Sequence, residues 1–215
     1  KKLIPKEFLQ NKTVINTHPS LLPKYRGLHA VVWAILNMEE ELGNTIHLMN
    51  EYIDDGEILE QFKVKYESQT SQEILKLFDD YVENNLGRVI LEFIEGKIIP
   101  VKQDNKNATW VTKRNLNDCI IDFNSDNNYI AAMFRALVEP YPLPLIKFKN
   151  NFYEITSSNL LKTKYEMHNG RVINIENKSA YVKTAEGILI INLLREFKTK
   201  EIIFPSDIFK IGTRL

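Results

Sequence analysis

The chain has 215 residues, 28 Lys+Arg against 28 Asp+Glu, 44% hydrophobic and 26% charged residues. This balance excludes disorder as the main state, and the length allows one large domain or two small ones, each burying its own core. The single cysteine, Cys119, excludes a disulfide framework and a cysteine-based zinc site. No apolar run approaches a bilayer span and no apolar segment follows Lys1 and Lys2, so the chain reads as cytoplasmic and reduced.

The elements are then read in chain order. Residues 2–9 form a helical scrap. Residues 13–17 (TVINT) are short and β-branched and read as a buried strand, 29–37 as a compact helix, and 44–51 and 57–66 as two further strands. Thr70 and Glu73 form a capping-box pattern that opens a long helix, whose apolar face runs from Ile74 to Phe93 and which Gly96 ends. Residues 103–107 (QDNKN) break the pattern, and 115–128 are rich in Asn and Asp, which places a domain boundary near residue 120.

After a helix over 129–138 and three prolines, short strands are predicted at 145–148, 152–156, 171–176, 180–184 and 187–194. Five short strands around one core suggest a small barrel of the OB-like kind. The expected organisation is an α/β domain over 1–120 and an OB-like β domain over 121–215. Net charge is −4 over 1–124 and +4 over 125–215. That is an ordinary solvated surface rather than the dense basic stripe of a dedicated nucleic-acid binder. A doubly wound sheet normally opens with βαβ units of about 30 residues. None precedes the first strand, so the opening half of the α/β domain is expected to be absent.

Two segments carry chemistry. The run NTHPSLLPKYRG (16–27) lies at the carboxyl end of the first strand, where open α/β sheets bind ligands. Its prolines and glycine stiffen the loop that presents Asn16 and His18, which alternate with Thr17 and so share a face. The turn YIDDGE (52–57) follows the next strand and offers a carboxylate to orient an imidazole, although adjacent acids before Gly are also what a plain turn looks like. An amide, an imidazole and a carboxylate without a serine or cysteine elbow point to direct acyl transfer: the amide donates to an oxyanion and the imidazole moves a proton. His47 alternates into a strand and reads as a buried, satisfied histidine. Cys119 reads as a small apolar residue, and no metal constellation is visible.

NTHPSLLPKYRG followed by TIHLMNEYIDDGEIL resembles the 10-formyltetrahydrofolate-dependent formyltransferase family, which has an Asn-x-His-Pro-Ser-Leu-Leu-Pro loop and a later Asp-x-Gly. Residues 129–144 and the segment ending LLREF are similar to the family's C-terminal domain. The resemblance implies a partial Rossmann-like catalytic domain and a C-terminal OB-like barrel. It implies Asn16, His18 and Asp54 as catalytic residues, with Asp54 rather than Asp55 in the third place, and 10-formyltetrahydrofolate as co-substrate without a metal. Residues Asn50, Glu51, Tyr52, Ile53, Asp54 and Asp55 would lie against the pterin. Ser20, Leu22, Pro23, Tyr25, Arg26, Gly27 and Trp33 would shape the acceptor side, with Arg26 available to a phosphate.

Family acceptors include methionyl-tRNA and nucleotide-linked amino sugars. The modest positive charge favours a nucleotide-linked 4-amino sugar, with methionyl-tRNA as the alternative. A truncated, non-catalytic homologue is a further alternative; sheet edges left by missing strands would then need covering, for example in a homodimer.

Overall fold

The computed structural model describes residues 5–215 and falls into two compact units, Lys1–Lys113 and Arg114–Leu215. The first three residues of the helical scrap, 2–4, lie outside the described residues. The break precedes residue 120 because Cys119, Ile121 and Phe123 are buried within the second unit. There the Ile121 N–H donates to the Leu145 carbonyl and the Ala185 N–H to the Phe123 carbonyl.

The N-terminal unit runs α1 (Lys6–Gln10), β1 (Ile15–His18), β2 (Arg26–Gly27), α2 (Ala30–Leu36), β3 (Glu41–Leu48), β4 (Ile58–Lys65), α3 (Ser71–Ile94) and β5 (Trp110–Val111), with a 3-10 turn at Asn105–Asn107. Strands order β1-β3-β4, with Ile15 opposite Leu48, His18 opposite Thr45 and Glu41 opposite Lys65. The central β3 is buried from Leu42 to His47, polar residues included, so it lacks the clean alternation of a half-exposed strand. Among the described residues this sheet is wholly antiparallel, a direction that side-chain period alone does not encode. β2 pairs parallel with β5, which ties the end of the 16–27 loop to residues 110–111.

α3 begins as its sequence dictates. Thr70 accepts the Glu73 N–H and the Glu73 carboxylate accepts the Thr70 N–H, closing both halves of the capping box. Gly96 follows its end in the left-handed region, φ +73°. The helix packs through Tyr81, whose ring stacks on Phe62 at 4.2 Å, and through Val89 against Ile46 and Leu59.

The C-terminal unit holds α4 (Asn127–Ala136), β6 (Leu145–Phe148), β7 (Asn151–Lys162), β8 (Val172–Glu176), β9 (Ser179–Lys183), β10 (Gly187–Glu196), β11 (Ile202–Ile203) and the short α5 (Pro205–Ile208). Asp126 caps α4 by accepting the Tyr129 N–H. The antiparallel path is β6-β7-β10-β9-β8, with β11 added on β10. Among the described residues β6 and β8 are the ends of this path and do not pair. β7 runs well past the predicted 152–156: its polar half has no apolar alternation, yet it pairs with β10 as far as Lys162 opposite Gly187. Ile130, Met133 and Leu137 join Leu145, Ile155, Val182, Leu189 and Phe209 in the core.

Candidate active site

β1 ends on His18, which is 5% exposed. Its Nε2 lies 2.8 Å from the Tyr25 backbone carbonyl. A carbonyl only accepts, so Nε2 carries the proton and Nδ1 is the basic nitrogen of the neutral ring. Nδ1 lies 3.5 Å from Asp54 Oδ2. A proton taken at Nδ1 therefore forms an imidazolium facing a carboxylate.

Asn16, two residues earlier on the same face of β1, is held from behind. His47 Nδ1 lies 2.7 Å from the Leu48 carbonyl and so donates, which leaves Nε2 to accept from Asn16 Nδ2 at 3.1 Å. One Asn16 N–H is thereby fixed and the second has its direction set with it. His47 is 1% exposed, and burial first of all pushes its pKa below the ordinary 6.5, opposed by its hydrogen bond to Leu48 and by Asp54. It is the buried, satisfied histidine expected, but its neutral form also orients Asn16, and its Nε2 is 3.9 Å from Asp54 Oδ1. The side-chain pattern of β3 gave no signal of that second role.

The turn after β3 supplies Asp54 with a left-handed backbone, φ +50°. Gly56 permits the close return of the chain, since a Cβ there would stand 1.7 Å from the Leu48 carbonyl oxygen. Asp54 Oδ2 accepts the Gly27 N–H at 2.8 Å, which stitches the acidic turn to the 16–27 loop. Gly27 itself, at φ +109°, passes so near β5 that a Cβ would stand 2.1 Å from the Val111 oxygen. Asp55 turns away and pairs with Arg26 Nη1 at 2.7 Å.

Arg26 is not available to a phosphate, contrary to expectation. It is 3% exposed and spent on Asp55, on Gln103 Oε1 at 3.1 and 2.7 Å, and on Asn105 Oδ1 at 2.8 Å. Ser20 is likewise internal: it is buried, its hydroxyl donates to the Lys24 carbonyl at 2.7 Å and its carbonyl accepts from Thr45. Leu22 is buried, and its carbonyl accepts from Gln61. Pro23 receives the Thr109 N–H on its carbonyl. Tyr25 is buried with its hydroxyl donating to Glu39, and burial, first among the causes, pushes its pKa up to about 12. The Trp33 indole N–H is spent on the Thr112 carbonyl at 2.8 Å. The polar atoms named here are engaged within the protein, and Ser20, Leu22, Pro23 and Tyr25 also line a cavity.

On the other predicted side, Asn50 folds the turn by accepting the Tyr52 N–H and donating to Asp55, while Glu51 pairs with Lys6. Tyr52 (64% exposed) and Ile53 (51%) stand open beside Asp54. A cavity of about 320 Å³ is lined by Leu48, Met49, Asn50, Asp55, Gly56 and Gln103 among others. A second, of about 370 Å³, lies against Pro19–Tyr25, Gly43 and Gln61 and is not lined by Asn16, His18 or Asp54. Among the described residues no group of three His, Cys, Asp or Glu is placed to hold a metal ion, and no helix is long and apolar enough to cross a membrane.

Residues 1–89 match the model of the formyl transferase family, and residues 114–211 match that of the formyl transferase C-terminal domain. The chain is 31% identical to the methionyl-tRNA formyltransferases of Clostridium novyi, over 95% of this chain and 64% of that one, and of Campylobacter lari, over 100% and 68%. It thus spans about two thirds of the length of these curated relatives. Among solved structures it resembles a methionyl-tRNA formyltransferase from Clostridium thermocellum (25% identity, TM-score 0.62, 87% of this chain and 75% of that one). It also resembles an N-formyltransferase from Helicobacter canadensis in complex with folinic acid and dTDP-3-aminofucose (25%, 0.64, 83% and 65%). The chain belongs to the formyl transferase family, with a Rossmann-like catalytic-domain segment followed by the family's C-terminal β domain.

Proposed function

We propose that this chain carries the transfer centre of an amine N-formyltransferase that takes its formyl group from 10-formyltetrahydrofolate. The observation that carries the reading is the basic Nδ1 of His18 facing Asp54 at 3.5 Å, beside an Asn16 amide fixed by His47. The acceptor amine attacks the formyl carbon, and the carbonyl electron pair moves onto oxygen. The second Asn16 N–H donates to that oxyanion, a contribution of about 10²–10³ in rate. The amine proton passes to His18, whose imidazolium Asp54 stabilises. It returns to the folate N10 as the carbon–nitrogen bond breaks, regenerating neutral His18; general acid–base work of this kind is worth about 10²–10⁴. Tyr52 and Ile53 supply exposed apolar surface beside Asp54 for a flat ring such as a pterin.

For the acceptor, the curated relatives support methionyl-tRNA ahead of the nucleotide-linked 4-amino sugar expected from charge. The sugar stays as a second reading because a neighbour bound to a dTDP-linked amino sugar is as similar as the tRNA enzyme. The test offers 10-formyltetrahydrofolate with methionyl-tRNA or with a dTDP-4-amino-4,6-dideoxy sugar and measures tetrahydrofolate release. Release with methionyl-tRNA alone supports the first reading and release with the sugar alone the second. Silence with both, from a chain extended by the N-terminal segment its relatives carry, supports a non-catalytic homologue.

A further inference from the structure

The geometry points to Gln103, a residue of the polar run 103–107, as the positioning residue that holds Asp54 on His18. The inference deepens the formyl-transfer reading, on which only its kinetic arm rests. Gln103 is 7% exposed, and all four hydrogen-bonding positions of its amide are used. Oε1 accepts from Arg26 Nε and Nη2; Nε2 donates to the Asp54 carbonyl at 2.9 Å and the Gly56 carbonyl at 2.7 Å. The amide admits one orientation, because reversal would set oxygen against two carbonyls and an N–H₂ against a guanidinium.

The segment bearing Gln103 is itself anchored: Val101 and Ile58 exchange backbone hydrogen bonds of 2.8 Å in both directions. Gln103 thus grips the turn on both sides of Asp55, whose side chain the same Arg26 holds. Asp54 occupies a left-handed conformation that a non-glycine residue keeps only when its surroundings impose it. Two donations from one rigid amide to its own carbonyl and to that of residue 56 are such an imposition. Without them the carboxylate keeps the Gly27 N–H but loses the fixed turn backbone that sets its distance to His18 Nδ1. Although Gln103 also lines the cavity of about 320 Å³, every polar position of its amide is spent on protein partners, so it acts through the group it holds and is assigned as positioning rather than catalytic.

The test uses the whole chain with Gln103→Met, neutral and of similar length, and Gln103→Glu, which keeps an acceptor for Arg26 but cannot donate to the carbonyls. Each is made alone and combined with Asp54→Asn. The first readout is the NMR titration of the His18 ring, which needs no turnover; His18 faces Asp54, and His47, Arg26 and its partner Asp55 are further ionisable groups of this cluster. The expected result is that Gln103→Met moves the His18 titration in the direction of Asp54→Asn. The second readout is tetrahydrofolate release. Here Gln103→Met and Gln103→Glu each lower kcat by up to about 10²-fold, the cost of a misplacement of about 1 Å. Neither has a further effect in the Asp54→Asn background.

A His18 titration unchanged in Gln103→Met, or losses that multiply with Asp54→Asn, overturns the assignment. If Gln103→Met does not fold, the Gln103→Glu cycle decides by the same criterion. A wild-type chain, extended by the N-terminal segment its relatives carry, that is silent with both acceptors defeats the formyl-transfer reading instead, and the titration still decides the role of Gln103.

Discussion

In the N-terminal unit the buried guanidinium of Arg26 is shared among Asp55, Gln103 and Asn105, while in the C-terminal unit the buried carboxylate of Glu154 gathers Arg195 at 2.6 Å and Lys200 at 3.0 Å. Each replaces lost hydration with several partners, as a buried charge requires. They differ in what they fix. Glu154 and Arg195 are opposite one another on β7 and β10, so their bond reinforces a strand register already set by apolar side chains. Arg26 leads through Gln103 to the backbone of the turn that carries Asp54. One network sustains a sheet and the other, on the proposed reading, aims the Asp54 carboxylate, and only its surroundings tell which.

The comparison breaks most sharply at the reacting groups themselves. His18→Ala and Asp54→Ala are expected to lower the rate of tetrahydrofolate release by about 10²–10⁴. Next come the two networks. Arg26→Ala leaves the buried Gln103 and the partly buried Asp55 without their cation, and urea unfolding is expected to show a loss of about 3–5 kcal/mol; Glu154→Ala frees Arg195 and Lys200, both of which reach solvent, and is expected to cost less. Folded Arg26→Ala protein also loses activity, whereas folded Glu154→Ala protein keeps it; equal activity losses would erase the distinction.

A pH effect follows from His47. Its pKa is lowered on folding, so its contribution to stability is fully present above about pH 6.5 and is lost as pH falls through the folded-state value. Protonation at Nε2 also removes the acceptor for Asn16. Replacing His47 with Gln should therefore flatten the acid side of the stability profile measured by urea unfolding between pH 7 and 5; an unchanged profile contradicts the buried neutral ring. The smallest effect is expected far from both networks, where Thr70→Ala removes the α3 cap at a cost of about 1 kcal/mol.

Much of this was legible in the sequence. The capping box announced α3, the short apolar runs 145–148 and 187–194 announced β6 and β10, and the resemblance to the formyltransferase motifs implied the trio Asn16, His18 and Asp54. Strand direction was not legible, because alternation has the same period in parallel and antiparallel sheets. Nor was the polar half of β7, whose pairing comes from β10 rather than from its own pattern. The fates of Arg26 and Gln103, and the hold of His47 on Asn16, were hidden for a common reason. A side chain committed to buried partners distant in sequence looks, in one dimension, like any other polar residue in a loop or strand. Arg26 reads as an exposed cation until Gln103, seventy-seven positions on, is seen to hold it.

A crystal structure of this chain with 5-formyltetrahydrofolate, a stable relative of the donor, tests the central geometry most directly. The account predicts the formyl-bearing end of the ligand beside Asp54, with a polar atom within hydrogen-bond range, about 3 Å, of Asn16 Nδ2 or the His18 ring. A ligand seated elsewhere, with Asn16, His18 and Asp54 facing none of its atoms, would contradict it.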